Sequence, residues 1–427
     1  MPSEIQSKLP PRSDEAYNSS DDLLTWMNGQ FKRLGSIFRA SAYGGEIYVV
    51  SDPVYVDHVL RENWQNYRKG QAIKRIGFLL GNGLMVSEGS FWKSQRQMIQ
   101  PGFHEEAICA LMSVITAANQ TLLTEWSTAA GSKHSVNITS DISRMVLGIT
   151  LHAIFGEDCE QMESHFNVLS VESARNLQFA QAFRPLGKVV AALVAERRKR
   201  NRSASDLLGM LMNARDRKSG EPMPESQLVA EVMTMIVAGH ETTASTLSWA
   251  WYLLSIHPEV EQKLWHELDA LPAGWTPALN DLPRFPFARQ VVEETMRLYP
   301  AGWLMTRRAL KDDWLGEYFV PAGAEVYIAP YLIQRNPAIW DEPDRFDPDR
   351  FCPAQAAQRH PMAMIPFSAG PRKCIGESLA RLEMHTHLMM MAKQLRLKRT
   401  AGQQVELEAG VNLRNKYDFL MEPAFRE

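Results

Sequence analysis

The stretch FSAGPRKCIG, from Phe367 to Gly376, decides how this chain is read. It sets one cysteine, Cys374, in a loop of small residues beside Arg372 and Lys373, and a helix-forming run, ESLARLEMHTHLMMMAKQL, begins directly behind it. A cysteine at a helix N-terminus between cations is where a thiolate is stabilised, because unpaired N–H groups and aligned peptide dipoles point at the sulfur. Gly370 and Gly376 let a large flat ligand approach the backbone, and Pro371 stiffens the turn and removes a donor. No histidine is spaced beside Cys374 as a base, so the loop suits a metal's axial position better than nucleophilic catalysis. Cys109, Cys159 and Cys352 lack this setting and read as small buried hydrophobes.

The chain has 427 residues, 45% hydrophobic and 22% charged, with a net charge of −3. That is ordinary for a globular chain with a large core and gives no reason to expect nucleic acid. Four unevenly spaced cysteines make neither a disulfide framework nor a zinc pattern, and fit a reducing cytoplasm. The first twenty residues are polar and contain prolines, without an apolar signal core. Apolar runs such as VVAALVA (Val189–Ala195) are too short to cross a bilayer. DDLLTWMNGQFKRLG reads as an amphipathic helix, and SIFRASAYGGEIYVVSD as a hairpin turning at Gly44-Gly45. From Pro53 to about Asp269 the pattern is helical. Glu225–His257 is apolar nearly all round, as befits a helix through the core. After Tyr299 come proline-rich segments, short strands such as AEVYIAP, the helix behind Cys374 and a strand-rich tail.

Three further motifs matter. AGHETT, Ala238–Thr243, lies midway along the central helix. Gly239 weakens the helix there, and Thr242 and Thr243 can bond carbonyls one turn back, favouring a kink or opened turn. Glu241 and Thr242 could then hold water against a ligand, while His240 reads as structural. EETMRLYP spaces Glu294 and Arg297 i,i+3; the ordinary reading is a surface ion pair contributing roughly 0–1 kcal/mol. PDRF at Pro343–Phe346 offers Arg345 to complete a Glu–Arg–Arg cluster. WKSQR sets Trp92 and Arg96 one helical turn apart on one face.

The string F-x-x-G-x-R-x-C-x-G, joined by these motifs, resembles the cytochrome P-450 family, and the resemblance spans nearly the whole chain. It implies one domain over residues 1–427 of mainly α (α+β) fold, with helical bulk around a buried haem and small sheets at one side. Within it would lie a polar leader (1–20), a central oxygen-activation helix (225–257), and a haem-ligand loop with its helix (367–392). The implied cofactor is haem b, with Cys374 on the iron and Phe367 and Gly376 in its loop. Trp92, Arg96, Arg372 and Arg307 would hold the propionates. By the same matching Thr242 is the hydroxyl and Glu241 the acid of a proton relay, and Glu294, Arg297 and Arg345 form a structural triad. Met85, Ala238, Gly302 and Trp303 would line a pocket for a hydrophobic small molecule, free or carried on a protein.

The implied activity is a haem-thiolate monooxygenase, with hydroxylation its default outcome. Its electrons would pass from NAD(P)H through a separate ferredoxin or flavodoxin and its reductase, docking near Lys93, Lys373 and Arg381. The alternatives are a peroxide-using relative, against which Glu241 and Thr242 speak, and a non-catalytic haem sensor or carrier, which needs no proton relay. The expected protein is a cytoplasmic monomer without a membrane anchor. One departure from the family stands out. About forty residues separate FGED (Phe155–Asp158) from the basic run ERRKRNR (Glu196–Arg202). The lid should therefore be thin, with Phe179, Phe183 and Leu186 bordering an open channel and the basic run in solvent.

Overall fold

The central helix runs from Glu225 to Ile256, one residue short of the expected span. The computed structural model describes residues 8–170, 177–200, 205–272 and 275–426. Because this helix is apolar on nearly every face, it is buried on both flanks. One flank packs with Trp126, Ile142 and Leu388, the other with Leu147, Leu151, Val190 and Leu208. Ile138–Phe155 lies along it. No opened turn interrupts it: the helix continues as α through Ala238–Thr243. Gly239 serves a close crossing, since a Cβ there would stand 3.3 Å from Thr150 Cγ2.

Small sheets flank the helical bulk. β1 (Ile37–Ala42), β2 (Gly45–Val50), β3 (Tyr67–Lys69), β4 (Met305–Ala309) and β5 (Glu325–Ile328) form a sheet in the order β1-β2-β5-β4-β3. The hairpin turn sits one residue earlier than expected. Tyr43 and Gly44 carry the positive φ values, 53° and 77°, and Gly45 already pairs with Ala42. Two successive left-handed residues match the twist of a two-residue hairpin. The leader runs beside β1, Ser13 N–H donating to the Arg39 carbonyl and Arg39 N–H to that of Pro11. Asp22 caps the first amphipathic helix, Leu23–Leu34.

The roof departs from expectation. A short helix, Cys159–Phe166, precedes a long one, Leu177–Lys199. Leu186 is 4% exposed and packs with Val190, Leu193 and Leu228, so it borders no opening. The cause is helical period: Leu186, Val190, Leu193 and Val194 form one apolar stripe facing the central helix. Phe179 and Phe183 lie outside the residues whose side chains are described. The basic run is only partly solvated. Arg197 is buried, donating to Asp158, to Asp206 and to the Phe155 carbonyl, while Arg198 and Arg200 make outer pairs with Glu225 and Glu196. By length and composition, Glu105–Ser132 and Ile138–Leu169 could each cross a membrane, which the short apolar runs did not suggest; 67% of the latter's most apolar window is buried in protein.

Candidate active site

Cys374 sits where a 3₁₀ turn, Gly370–Arg372, hands over to the helix Glu377–Gln394. Gly370 has φ +70°, and a Cβ on it would fall 2.0 Å from the Leu60 carbonyl oxygen, so only glycine lets the loop lie on that turn. The Cys374 N–H donates to the Phe367 carbonyl at 2.9 Å. The side chain borders open space yet lies deep among protein atoms. Burial pushes the thiol up, opposed by the Gly376 N–H and by the charges of Arg96 and Lys373. Of the two cations read beside the sulfur, Lys373 acts on it, whereas Arg372 turns to Trp92 and Glu88 and Arg96 stands in its place. Phe367 packs on the adjacent core under the Arg381 guanidinium, 4.9 Å from its ring centre. Gly376 is close to the sulfur and to Phe103.

A cluster of cations stands beside the loop. Trp92 is buried, and the Arg372 guanidinium lies 4.7 Å from its ring centre. Arg372 donates Nη2 to Glu88, whereas its Nε and Nη1 are buried without a hydrogen-bond partner. Arg307 is buried on β4, where desolvation and the nearby Arg372 lower its pKa to about 10. Lys69 on β3 pairs in register with Arg307. Its amine donates to the carbonyls of Leu84 at 2.8 Å and Ser87 at 3.1 Å, and burial, then Arg372, lowers it to about 7. Arg372 and the buried Arg307 and Lys69 stand against Glu88 and, on the far side of Lys69, Glu231, and two Arg372 nitrogens are orphaned, an arrangement suited to further carboxylates. The two propionates of haem would meet that need and Cys374 would meet the iron's, so the residues present fit the cofactor. Arg96 Nη1 donates to the Lys373 carbonyl at 2.8 Å, tying the Trp92 helix to the cysteine loop. Sequence reasoning missed Lys69 and Glu88, because only the β3–β4 pairing and the loop's return bring them to Arg372.

On the central helix, Thr242 Oγ1 donates to the Ala238 carbonyl at 2.9 Å. The adjacent Glu241 accepts from Asn412 Nδ2 at 2.9 Å. His240 is buried with Nε2 2.8 Å from Ser143 Oγ, a structural setting as expected. Met85 packs on the same cluster as Val237 and Ile375, so the Met85 loop, the central helix and the cysteine loop converge. Ala238 and Gly302 are half-buried, and a Cβ on Gly302 would stand 3.7 Å from the Pro366 carbonyl. Trp303 is not a pocket wall. It is 4% exposed in the N-terminal core with Trp26, Phe38 and Leu332, its Nε1 donating to the Gly410 carbonyl at 2.9 Å.

The Glu294–Arg297 pair is fully buried, not a surface pair. Arg297 makes two bonds to Glu294, at 2.6 and 2.8 Å, and donates to the carbonyls of Gln334, Pro343 and Arg345. Arg345 is not the third member, since its side chain reaches out to Glu342 and is exposed. The third member is Arg350, with Nε 3.5 Å from Glu294 Oε1. The sequence PDRFDPDRF (343–351) contains the motif twice, and the second copy turns inward. Gln334 extends the cluster, bonding the carbonyls of Met296 and Arg297 and accepting from Ile365 N–H, two residues before Phe367. At the outer face Lys93 is exposed, and Lys373 pairs with Glu377 at 2.5 Å. Arg381, expected to be available to a partner, is committed to Glu293 and Glu377.

The profile of the cytochrome P-450 family matches residues 16–188 and 176–420. Among curated proteins, cyclooctat-9-en-7-ol 5-monooxygenase of Streptomyces melanosporofaciens is 30% identical over 376 residues, 83% of this chain and 81% of that protein. Pentalenene oxygenase of Streptomyces avermitilis is 28% identical, over 82% of this chain and 81% of the relative. The chloroplastic protein LUTEIN DEFICIENT 5 of Arabidopsis thaliana is 28% identical, over 87% and 69%. Among solved structures, a retinoic-acid-bound cyanobacterial cytochrome P-450 superposes with a TM-score of 0.86 at 22% identity, covering 98% of this chain and 99% of that one. The chain thus belongs to the cytochrome P-450 family and is an oxidoreductase of the monooxygenase type whose cofactor is haem b.

Proposed function

We propose that this chain hydroxylates an isoprenoid-type hydrocarbon, using dioxygen and electrons delivered by a separate ferredoxin- or flavodoxin-type protein. The observation that carries the reading is Cys374 at its helix start beside Arg372 and the buried cations Arg307 and Lys69. Haem b, when bound, supplies redox-active iron for dioxygen chemistry. The chain's own residues do the rest. Cys374 holds the iron, with the Gly376 N–H and the helix start supporting a negative sulfur. Arg372, Arg307 and Lys69 take the propionates. Met85, Ala238 and Gly302 keep the substrate face apolar and water out, which favours a hydrophobic substrate. Glu241 and Thr242 hold and pass protons, which favours dioxygen over peroxide as oxidant.

Terpenoid substrates are suggested by the names of the bacterial relatives, cyclooctat-9-en-7-ol 5-monooxygenase and pentalenene oxygenase. Exposed Lys93 and the adjoining Lys373 would attract an acidic electron donor. The test is turnover of pentalenene by the haem-loaded protein, with NADPH and a surrogate ferredoxin pair, compared with hydrogen peroxide alone. Hydroxylated product with NADPH supports the reading. Product from peroxide only, or a haem spin state that pentalenene leaves unmoved, contradicts it.

A further inference from the structure

Glu241 and Thr242 are neighbours on one helix, so their side chains leave the axis about 100° apart. Thr242 bonds its own helix, whereas Glu241 is held by a different element, the hairpin formed by Leu407–Ala409 and Leu413–Asn415. That hairpin is pinned on three sides. The Gly410 carbonyl accepts from Trp303 Nε1, Leu413 N–H donates to the Ala301 carbonyl, and the Leu413 carbonyl accepts from Ser245 Oγ at 2.8 Å. Its tip therefore presents Asn412 to Glu241 at a fixed place, 2.9 Å from Oε2. Behind the pair lies a cavity of about 40 Å³, lined by Thr139, Ser143, Glu241, Ser245, Ser248 and Asn412 among others. Its wall is mostly apolar, with Trp249 and Phe419, but the hydroxyls, the carboxylate and the Arg414 side chain offer partners for a water in a space of that size.

We infer that Asn412 is a positioning residue for Glu241, and that this cavity is where Glu241 collects its proton. The inference rests on the proposed relay role of Glu241. With Glu241 ionised, the Asn412 amide donates to it and holds it over the cavity. A cavity water then passes a proton to the carboxylate, and the neutral acid no longer needs the amide. It releases, delivers the proton towards Thr242, and returns as the anion. Dioxygen, two electrons from the donor protein and two protons yield one inserted oxygen atom and one water, so Glu241 runs this cycle with no net change of its own. An amide suits the place. A carboxylate at position 412 would set two acids together and force them to share one proton.

The experiment uses the haem-loaded full chain with NADPH and a surrogate ferredoxin pair, reading hydrogen peroxide released per NADPH and the solvent deuterium isotope effect. Asn412→Ala should raise the ratio of peroxide to product about tenfold or more, the worth of one hydrogen bond to a charged group, and enlarge the isotope effect. Asn412→Asp should move the pH profile of NADPH oxidation towards alkali. Haem content and the carbon monoxide spectrum should stay as in the parent. Independently of turnover, the melting-point losses of Asn412→Ala and Glu241→Gln should be non-additive in the double variant. If Glu241→Gln disturbs peroxide release while Asn412→Ala does not, or if the melting losses simply add, the positioning role is overturned and the relay reading stands. If Glu241→Gln itself changes nothing, both fall.

Discussion

Two Glu–Arg pairs in this molecule share one spacing and almost nothing else. Glu294–Arg297 and Glu342–Arg345 are both i,i+3, and Arg297 even donates to the Arg345 carbonyl. In the first pair both side chains are 0% exposed; in the second they are 62% and 61% exposed. The inner pair fastens the helix Pro286–Leu298 to the segment leading into the cysteine loop, through Asp347, Gln334 and Ile365. The outer pair spans one turn in water. A charged motif thus takes its importance from its surroundings, not from its spelling.

The largest effect should come from breaking the inner pair. Arg297→Ala strips buried Glu294 of its bidentate partner, leaving only the longer Arg350 contact, and should cost about 3–5 kcal/mol, read as a collapse of the urea midpoint and of haem content. Arg345→Ala should cost under about 1 kcal/mol and leave both readings near the parent. Equal losses at the two arginines would erase the contrast.

Burial without a charge partner makes a second, smaller set of effects, on the helix behind Cys374. His387 is fully buried between Trp251 Nε1 and Asn119 Oδ1, and desolvation lowers it to about 3. Between that value and 6.5 the unfolded chain takes up a proton that the folded chain refuses. Stability is therefore lost as pH falls below 6.5, by about 1.4 kcal/mol per unit. Glu383 is raised by burial to about 8, and its Oε2 is buried without a partner. From 4.5 to about 8 the folded chain holds a proton that the unfolded chain gives up, so stability is lost as pH rises. In urea titrations across this range, His387→Gln should flatten the acid side and Glu383→Gln the alkaline side. Parallel curves for parent and variants would contradict the assignment.

Smaller again is Lys69→Met, which removes a cradle cation while keeping its bulk. Haem should pass to apomyoglobin about tenfold faster, the worth of one charge-assisted bond, with the carbon monoxide spectrum unchanged. An unaltered transfer rate would take Lys69 out of the cradle.

The same contrast explains what was legible in the sequence. The cysteine loop was readable because its chemistry is local: the glycines, cations and helix start lie within ten residues of Cys374. The central helix was readable because its apolar pattern has no polar face. Arg350 was not, because PDRF occurs twice and only the fold chooses between the copies. Trp303, Lys69 and Asn412 were not, because strand pairing and a distant hairpin decide where they point. The roof misled through its count of residues: a short interval still held a long helix whose apolar stripe buries Leu186.

The most direct measurement is the carbon monoxide difference spectrum of the reduced, haem-loaded protein, taken for the parent and for Cys374→His. The parent should carry the red-shifted band of a thiolate ligand, and the variant should bind haem without it. A variant that kept that band, or a parent that lacked it while fully loaded, would place the iron on some residue other than Cys374.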